Sequence, residues 1–146
     1  MKKTLIFAIV IISLMASACK STPKSAEEVT DETFTRIYNS YVRGLILDGA
    51  RSYTVKSGDS LASIARAHYP DGHYYPVIML ASNSVISDPY KLQVGMVLTI
   101  PDLQTNLNDS RARRSIKGVM LDCAHIDELR GYADTASGIR AIANSL

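Results

Sequence analysis

Two short alternating runs, Tyr53-Thr54-Val55-Lys56 and Val97-Leu98-Thr99-Ile100, bracket a segment with helical spacing, and together they limit what this chain can fold into. Alternation of apolar and polar residues marks a half-buried strand. The first run stops at Ser57-Gly58-Asp59, and Ser60 or Asp59 is placed to cap a helix whose inner face is Leu61, Ile64, Ala65 and Tyr69. Pro70-Asp71-Gly72 breaks that helix, and a second, from about Tyr74 to Ser82, carries Val77, Ile78 and Leu80. A loop with Asp88-Pro89 and Gly95 leads to the second run, which Pro101 closes. The order is strand, helix, helix, strand, which makes the chain α+β.

Helical pattern flanks this block on both sides. Ser25 and Glu28 have the spacing of a capping box, and Phe34, Ile37, Tyr38, Tyr41, Val42 and Leu45 recur at helical intervals. They predict a helix from Ala26 to Leu47, closed by Asp48-Gly49, with an apolar stripe that must bury itself against another element. The helical tail is the expected partner. There Asn108 or Asp109 can cap a helix with Ala112, Ile116, Val119, Met120 and Cys123 on one face, and Ile139 and Ile142 mark a later segment. Gly118, Gly131 and Gly138 are expected to interrupt it. The basic cluster Arg111, Arg113, Arg114 and Lys117 reads as a solvated face balanced by Asp122, Asp127 and Glu128.

The amino terminus carries Lys2 and Lys3, an apolar run from Leu5 to Ile12, and small residues ending in Ala16-Ser17-Ala18-Cys19. Positive charge, an apolar stretch of secretory length and a small-residue exit make a signal peptide. The run falls short of the roughly 20 apolar residues of a membrane span, and no second such stretch follows. Ala16-Ser17-Ala18-Cys19 resembles the lipobox of bacterial lipoproteins, although the family prefers Leu where Ala16 stands. The resemblance implies cleavage before Cys19 and acylation of its thiol, so that the protein is held to a membrane. Lys20, in place of the aspartate that marks inner-membrane retention, implies the periplasmic face of the outer membrane. With Cys19 acylated, Cys123 is left without an intramolecular partner, and its place on an apolar stripe predicts burial. The expected organisation is a signal peptide (1–18), a lipidated tether (19–25), an amphipathic helix (26–50), the strand-helix-helix-strand domain (51–102) and a helical C-terminal region (103–146).

The middle block resembles the lysin motif, or LysM, domain. Tyr53-Thr54-Val55-Lys56-Ser57-Gly58-Asp59-Ser60-Leu61, Ile64-Ala65, Asn83 and Leu92 to Pro101 carry the resemblance, over about a third of the 146 residues. Asp71-Gly72-His73-Tyr74 resembles the variant with a longer insert between the helices. The usual Pro-Gly-Gln before the last strand is replaced by Val94-Gly95-Met96. The resemblance implies a two-stranded antiparallel sheet with two helices on one face, and binding of glycans built on N-acetylglucosamine, such as peptidoglycan. It puts the binding surface in a shallow groove between two loops: Gly58, Asp59, Ser60 and Leu61 on one side, Ile86, Ser87 and Asp88 on the other. An N-acetyl group offers an amide donor, a carbonyl acceptor and a methyl, which suits loop backbone and an apolar floor. Gly58-Asp59-Ser60 is also a turn and an N-cap in its own right, and Asn83 is placed to satisfy loop backbone.

Charge and motif narrow the function further. Without Lys2 and Lys3 the chain holds 14 basic and 14 acidic residues, which gives no electrostatic reason to bind nucleic acid. There is no zinc-protease motif, no nucleophile elbow and no phosphate loop. His68, Asp71 and His73 flank the break between the helices and read as solvated loop residues rather than a metal site; Cys123, His125 and Asp127 alternate, which on a helix points them apart. The chain is thus expected to be a non-catalytic, membrane-anchored glycan binder needing no cofactor or metal. The alternative is an envelope scaffold whose helices recruit a protein partner such as a cell-wall enzyme.

Overall fold

A computed structural model describes residues 26–146, with side chains from residue 32 onward. The signal segment 1–18, Cys19, the tether 19–25 and the Ser25–Glu28 cap lie outside the described backbone or side chains. The elements are α1 (Ala26–Tyr41), β1 (Arg51–Thr54), α2 (Leu61–His68), α3 (Tyr75–Ala81), β2 (Val97–Ile100), α4 (Leu103–Asn108), α5 (Ser110–Leu129) and α6 (Ala133–Ser145), with short 3-10 turns at Val42–Gly44 and Gly72–Tyr74. No helix is long and apolar enough to cross a membrane among the described residues.

β1 and β2 pair antiparallel, with Arg51 opposite Ile100 and Thr54 opposite Val97. The ladder continues past the strands: Val55 N–H donates to Met96 O and Gly95 N–H to Val55 O, both at 2.9 Å. Leu98 and Ile100 turn inward from β2 and are buried. α3 packs against β2 and α2 and also against α5, and every residue from Tyr75 to Ala81 is buried. A helix apolar all round has no solvent face, so α3 is the axis on which the α+β unit and the C-terminal helices meet. Phe34 and Ile37 of α1, Ile116, Met120 and Cys123 of α5, and Ile139 of α6 join the same continuous core. Burial among these side chains holds the Cys123 thiol well above its usual value, so it stays protonated.

Two expectations about the flanks are corrected. α1 ends at Tyr41 rather than at Leu47, because the chain beyond it is claimed by tertiary bonds. The buried Asn106 side chain accepts from Ile46 N–H and donates to Ile46 O, both at 2.9 Å. The amide thus mimics a strand partner and holds that backbone out of the helix. In the tail, only Gly131, at φ +86°, makes a turn. Gly118 and Gly138 lie inside helices as points of close approach: a Cβ would stand 2.3 Å from the Tyr41 ring at the first and 2.4 Å from the His73 ring at the second.

Candidate functional site

The first loop is built by its own side chains. Gly58 takes φ +85°, a conformation that suits residues without a Cβ. Asp59 then turns back, and its carboxylate accepts from Lys56 N–H and from Tyr53 OH, each at 2.8 Å. Those bonds hold the Asp59 carboxyl below its usual range. Of the two candidate caps it is Ser60 that starts α2: its hydroxyl accepts from Ser63 N–H at 3.1 Å, and Ser63 Oγ accepts from Ser60 N–H at 2.9 Å. Leu61 follows, buried.

The second loop is tied down at its start. Ser82 Oγ accepts from Thr99 N–H at 2.9 Å, and Asn83 donates to Leu80 O at 2.8 Å, so it satisfies a carbonyl at the end of α3 rather than the loop amides expected. Ile86 is buried and Ser87 is exposed. Asp88 differs from expectation: it is only 3% exposed, its Oδ1 accepts from Tyr90 N–H at 3.0 Å, and both carboxylate oxygens accept from Arg130, at 3.0 and 3.3 Å. The Arg130 guanidinium also lies over the Tyr90 ring, 4.3 Å from its centroid. Burial acts to lower the Arg130 pKa, but the bond to Asp88 and the carboxylate charge outweigh it and raise it.

Between the loops lies a pocket of about 180 Å³. Ser60, Leu61 and Ala62 line it from the start of α2, Tyr75 from α3, Pro89 and Tyr90 from the second loop, and Tyr132 and Thr135 from the turn into α6. None of these side chains is charged. Tyr90 and Tyr132 are half exposed and stack on each other, with centroids 5.3 Å apart and planes 12° apart. Beneath them Asp127 is fully buried. It accepts a hydrogen bond from Tyr75 OH at 2.9 Å and a second from Tyr90 OH. Burial raises the Asp127 pKa, against the lowering effect of the two hydroxyls and Arg130. The expectation that Asp127 balances a solvated face is therefore corrected: it stands under the pocket wall.

Of the seven residues expected along the groove, Ser60 and Leu61 line this pocket. Gly58 and Asp59 shape the turn ahead of it, Ser87 sits exposed beyond it, and the side chains of Ile86 and Asp88 are spent on packing and on Arg130. Sequence reasoning missed Ala62, Tyr75, Pro89 and Tyr90. Pro89-Tyr90 directly after Asp88 was the available signal. Nothing local pointed to Tyr132 or Thr135. His68 packs edge-on against Tyr53, whereas Asp71 caps the following turn by accepting from His73 N–H at 2.8 Å. No group of metal-ligating side chains forms among the described residues.

Comparison with known proteins bears on the segment from β1 to β2. Residues 53–101 match the LysM domain family. Over 50 residues the chain is 40% identical to a protein of Escherichia coli O6:H1 named Potassium binding protein Kbp; the aligned stretch is 34% of this chain and 34% of that protein. The chain thus matches about a third of the length of that relative. No solved structure matches.

Proposed function

We propose that this chain, whose residues 53–101 form a LysM domain, is a non-catalytic binder of N-acetylglucosamine glycans that tethers the cell envelope to peptidoglycan. The observation that carries the reading is the uncharged, tyrosine-lined pocket between the two loops. A neutral sugar with an acetamido group needs an apolar surface for its C–H face and methyl, and a few hydroxyls or backbone groups for its polar edge. The walls offer tyrosine rings, Leu61 and Pro89 beside the hydroxyls of Ser60 and Thr135. The charges nearby are already matched, Asp88 by Arg130 and Asp127 by two tyrosine hydroxyls.

The anchor belongs to the same proposal. The sequence Ala16-Ser17-Ala18-Cys19 supports acylation of Cys19 and residence at the periplasmic face of the outer membrane. Tethering turns a weak contact into an intramolecular one at roughly millimolar effective concentration, which lets a single glycan module suffice. Potassium binding, named for the relative, is not carried over, because the alignment covers only 34% of that protein. The test is cell fractionation with a labelled fatty acid. The wild-type protein is expected to carry label and to sit in the membrane fraction; Cys19→Ala is expected to lose both while still pelleting with purified sacculi. Membrane residence unchanged by Cys19→Ala would refute the anchor.

One observation favours a second reading. Leu121 and Leu129 are exposed on α5 at the spacing of one helix face, with exposed His125 between them, a stripe suited to a protein partner. Chemical crosslinking in intact cells that depends on Leu129 and not on the pocket would favour the scaffold.

A further inference from the structure

Tyr132 and Thr135 lie outside the segment that matches the LysM family, where the turn after α5 leads into the first turn of α6, yet they face Leu61 and Pro89 across one pocket. We propose that this turn is part of the glycan site: Tyr132 supplies a ring against which the bound N-acetylhexosamine packs, and Thr135 a hydroxyl for its polar edge. The inference rests on the glycan-binding reading above and specifies which part of the ligand is held and by what.

Three observations argue for it. The turn is fixed in place. Gly131 at φ +86° reverses the chain, Arg130 just before it grips Asp88 of the second loop, and Tyr132 stacks on Tyr90. A wall held by a paired arginine on one side and a ring stack on the other is preorganised, and binding then spends little on ordering it. The wall is also chemically suited to its ligand. Tyr132 remains 49% exposed and Tyr90 44%, so substantial aromatic surface is left to the solvent-facing side of a pocket with no charged lining. A large amphipathic ring, apolar on its faces with a polar tip, is suited to a neutral sugar. Finally, the size restricts the occupant. At about 180 Å³ the pocket is smaller than the roughly 300–1,000 Å³ of sites that enclose a whole small ligand. It therefore takes one sugar unit or its acetamido group, with the rest of the glycan lying outside.

The experiment is titration calorimetry of the full chain in mild detergent with chitotetraose, four β-1,4-linked N-acetylglucosamine units. Tyr132→Ala is expected to weaken binding about tenfold, as truncation of a buried aromatic contact does, while Tyr132→Phe stays within about twofold because the ring does the packing. Wild-type affinity in Tyr132→Ala, alongside lost binding in Ala62→Arg, would overturn the role of the turn and leave the LysM groove standing. If the wild-type protein binds no chitotetraose, the glycan reading fails and this inference with it. Tyr132→Trp guards against a variant that does not fold. The chain has no tryptophan, so the indole at 132 is a sole reporter: its emission should shift on saturation with chitotetraose, and an unmoved spectrum at saturation would also overturn the proposal.

Discussion

Arg130 donates to both carboxylate oxygens of Asp88, at 3.0 and 3.3 Å, and so joins the end of α5 to the loop that precedes β2. The pair stands 42 residues apart in the chain. It is a bidentate guanidinium–carboxylate contact, the stronger class of charged hydrogen bond, and Asp88 is almost wholly buried in it. Removing one partner strands the other. Asp88→Ala is expected to cost about 1–3 kcal/mol, and the double change with Arg130→Met less than the sum of the singles. Urea unfolding of the four proteins checks this, and additive losses would mean the pair is not coupled.

Asp127 gives the fold a pH dependence of unusual sign. Burial raises its pKa in the folded protein above its ordinary 3.8. The folded state then holds a proton there more readily than the unfolded chain, so this group's stabilisation is complete below the unfolded value and is lost as pH rises through the folded one. Relative to Asp127→Asn, the wild-type protein should gain stability between pH 7 and pH 4.5. Asp59 and Asp71, whose pKa values are lowered, act in the opposite sense and lose their contribution only as pH falls below the usual carboxylate range. Paired urea titrations at the two pH values are the check, and parallel curves would contradict the assignment.

The Tyr38 hydroxyl is buried and has no hydrogen-bond partner among the described residues. An unmatched buried hydroxyl costs about 1–3 kcal/mol. Tyr38→Phe keeps the ring and its contact with Phe34 while deleting the oxygen, and should be neutral or stabilising by about 1 kcal/mol. A rise or no change in melting temperature fits; a clear fall would show that the hydroxyl has a partner.

Gly138 faces the His73 ring, and a Cβ there would stand 2.4 Å from it. Alanine normally favours a helix interior over glycine by about 1 kcal/mol. Here overpacking, which costs about 1–3 kcal/mol, should reverse that preference. Gly138→Ala is therefore expected to lower the melting temperature, and His73→Ala in the same chain to restore part of the loss.

The local architecture was legible because it is written in local chemistry. The alternating run Val97–Ile100 is β2 as read, whereas β1, at Arg51–Thr54, starts two residues before the run Tyr53–Lys56; Gly58-Asp59-Ser60 marked the turn and cap, and the Asp71-Gly72 break separated α2 from α3. What escaped was decided across long separations. Asp127 sits between Asp122 and Glu128 in an apparently solvated run, and the hydroxyls that enclose it come from Tyr75 and Tyr90. Asp88 reads as a loop carboxylate until Arg130 arrives from α5. The chain beyond α1 is held out of the helix by Asn106, 60 residues from its partner Ile46. For the same reason only two of the eight residues that line the pocket were visible in sequence: Ser60 and Leu61 belong to a recognisable turn, whereas Tyr132 and Thr135 reach the site only through the packing of α5 on α3 and of α6 on α5.

Glycan binding at the pocket between the loops can be measured by co-sedimentation with purified peptidoglycan sacculi. Wild-type protein is measured beside Ala62→Arg, which fills the pocket from the half-buried start of α2 and is expected to leave the core, the Asp59 turn and the Arg130–Asp88 pair intact. The wild-type protein should pellet with sacculi, and Ala62→Arg, with an unchanged melting temperature, should stay in the supernatant. Equal pelleting of both proteins would place binding elsewhere on the chain, and pelleting by neither would contradict the glycan function.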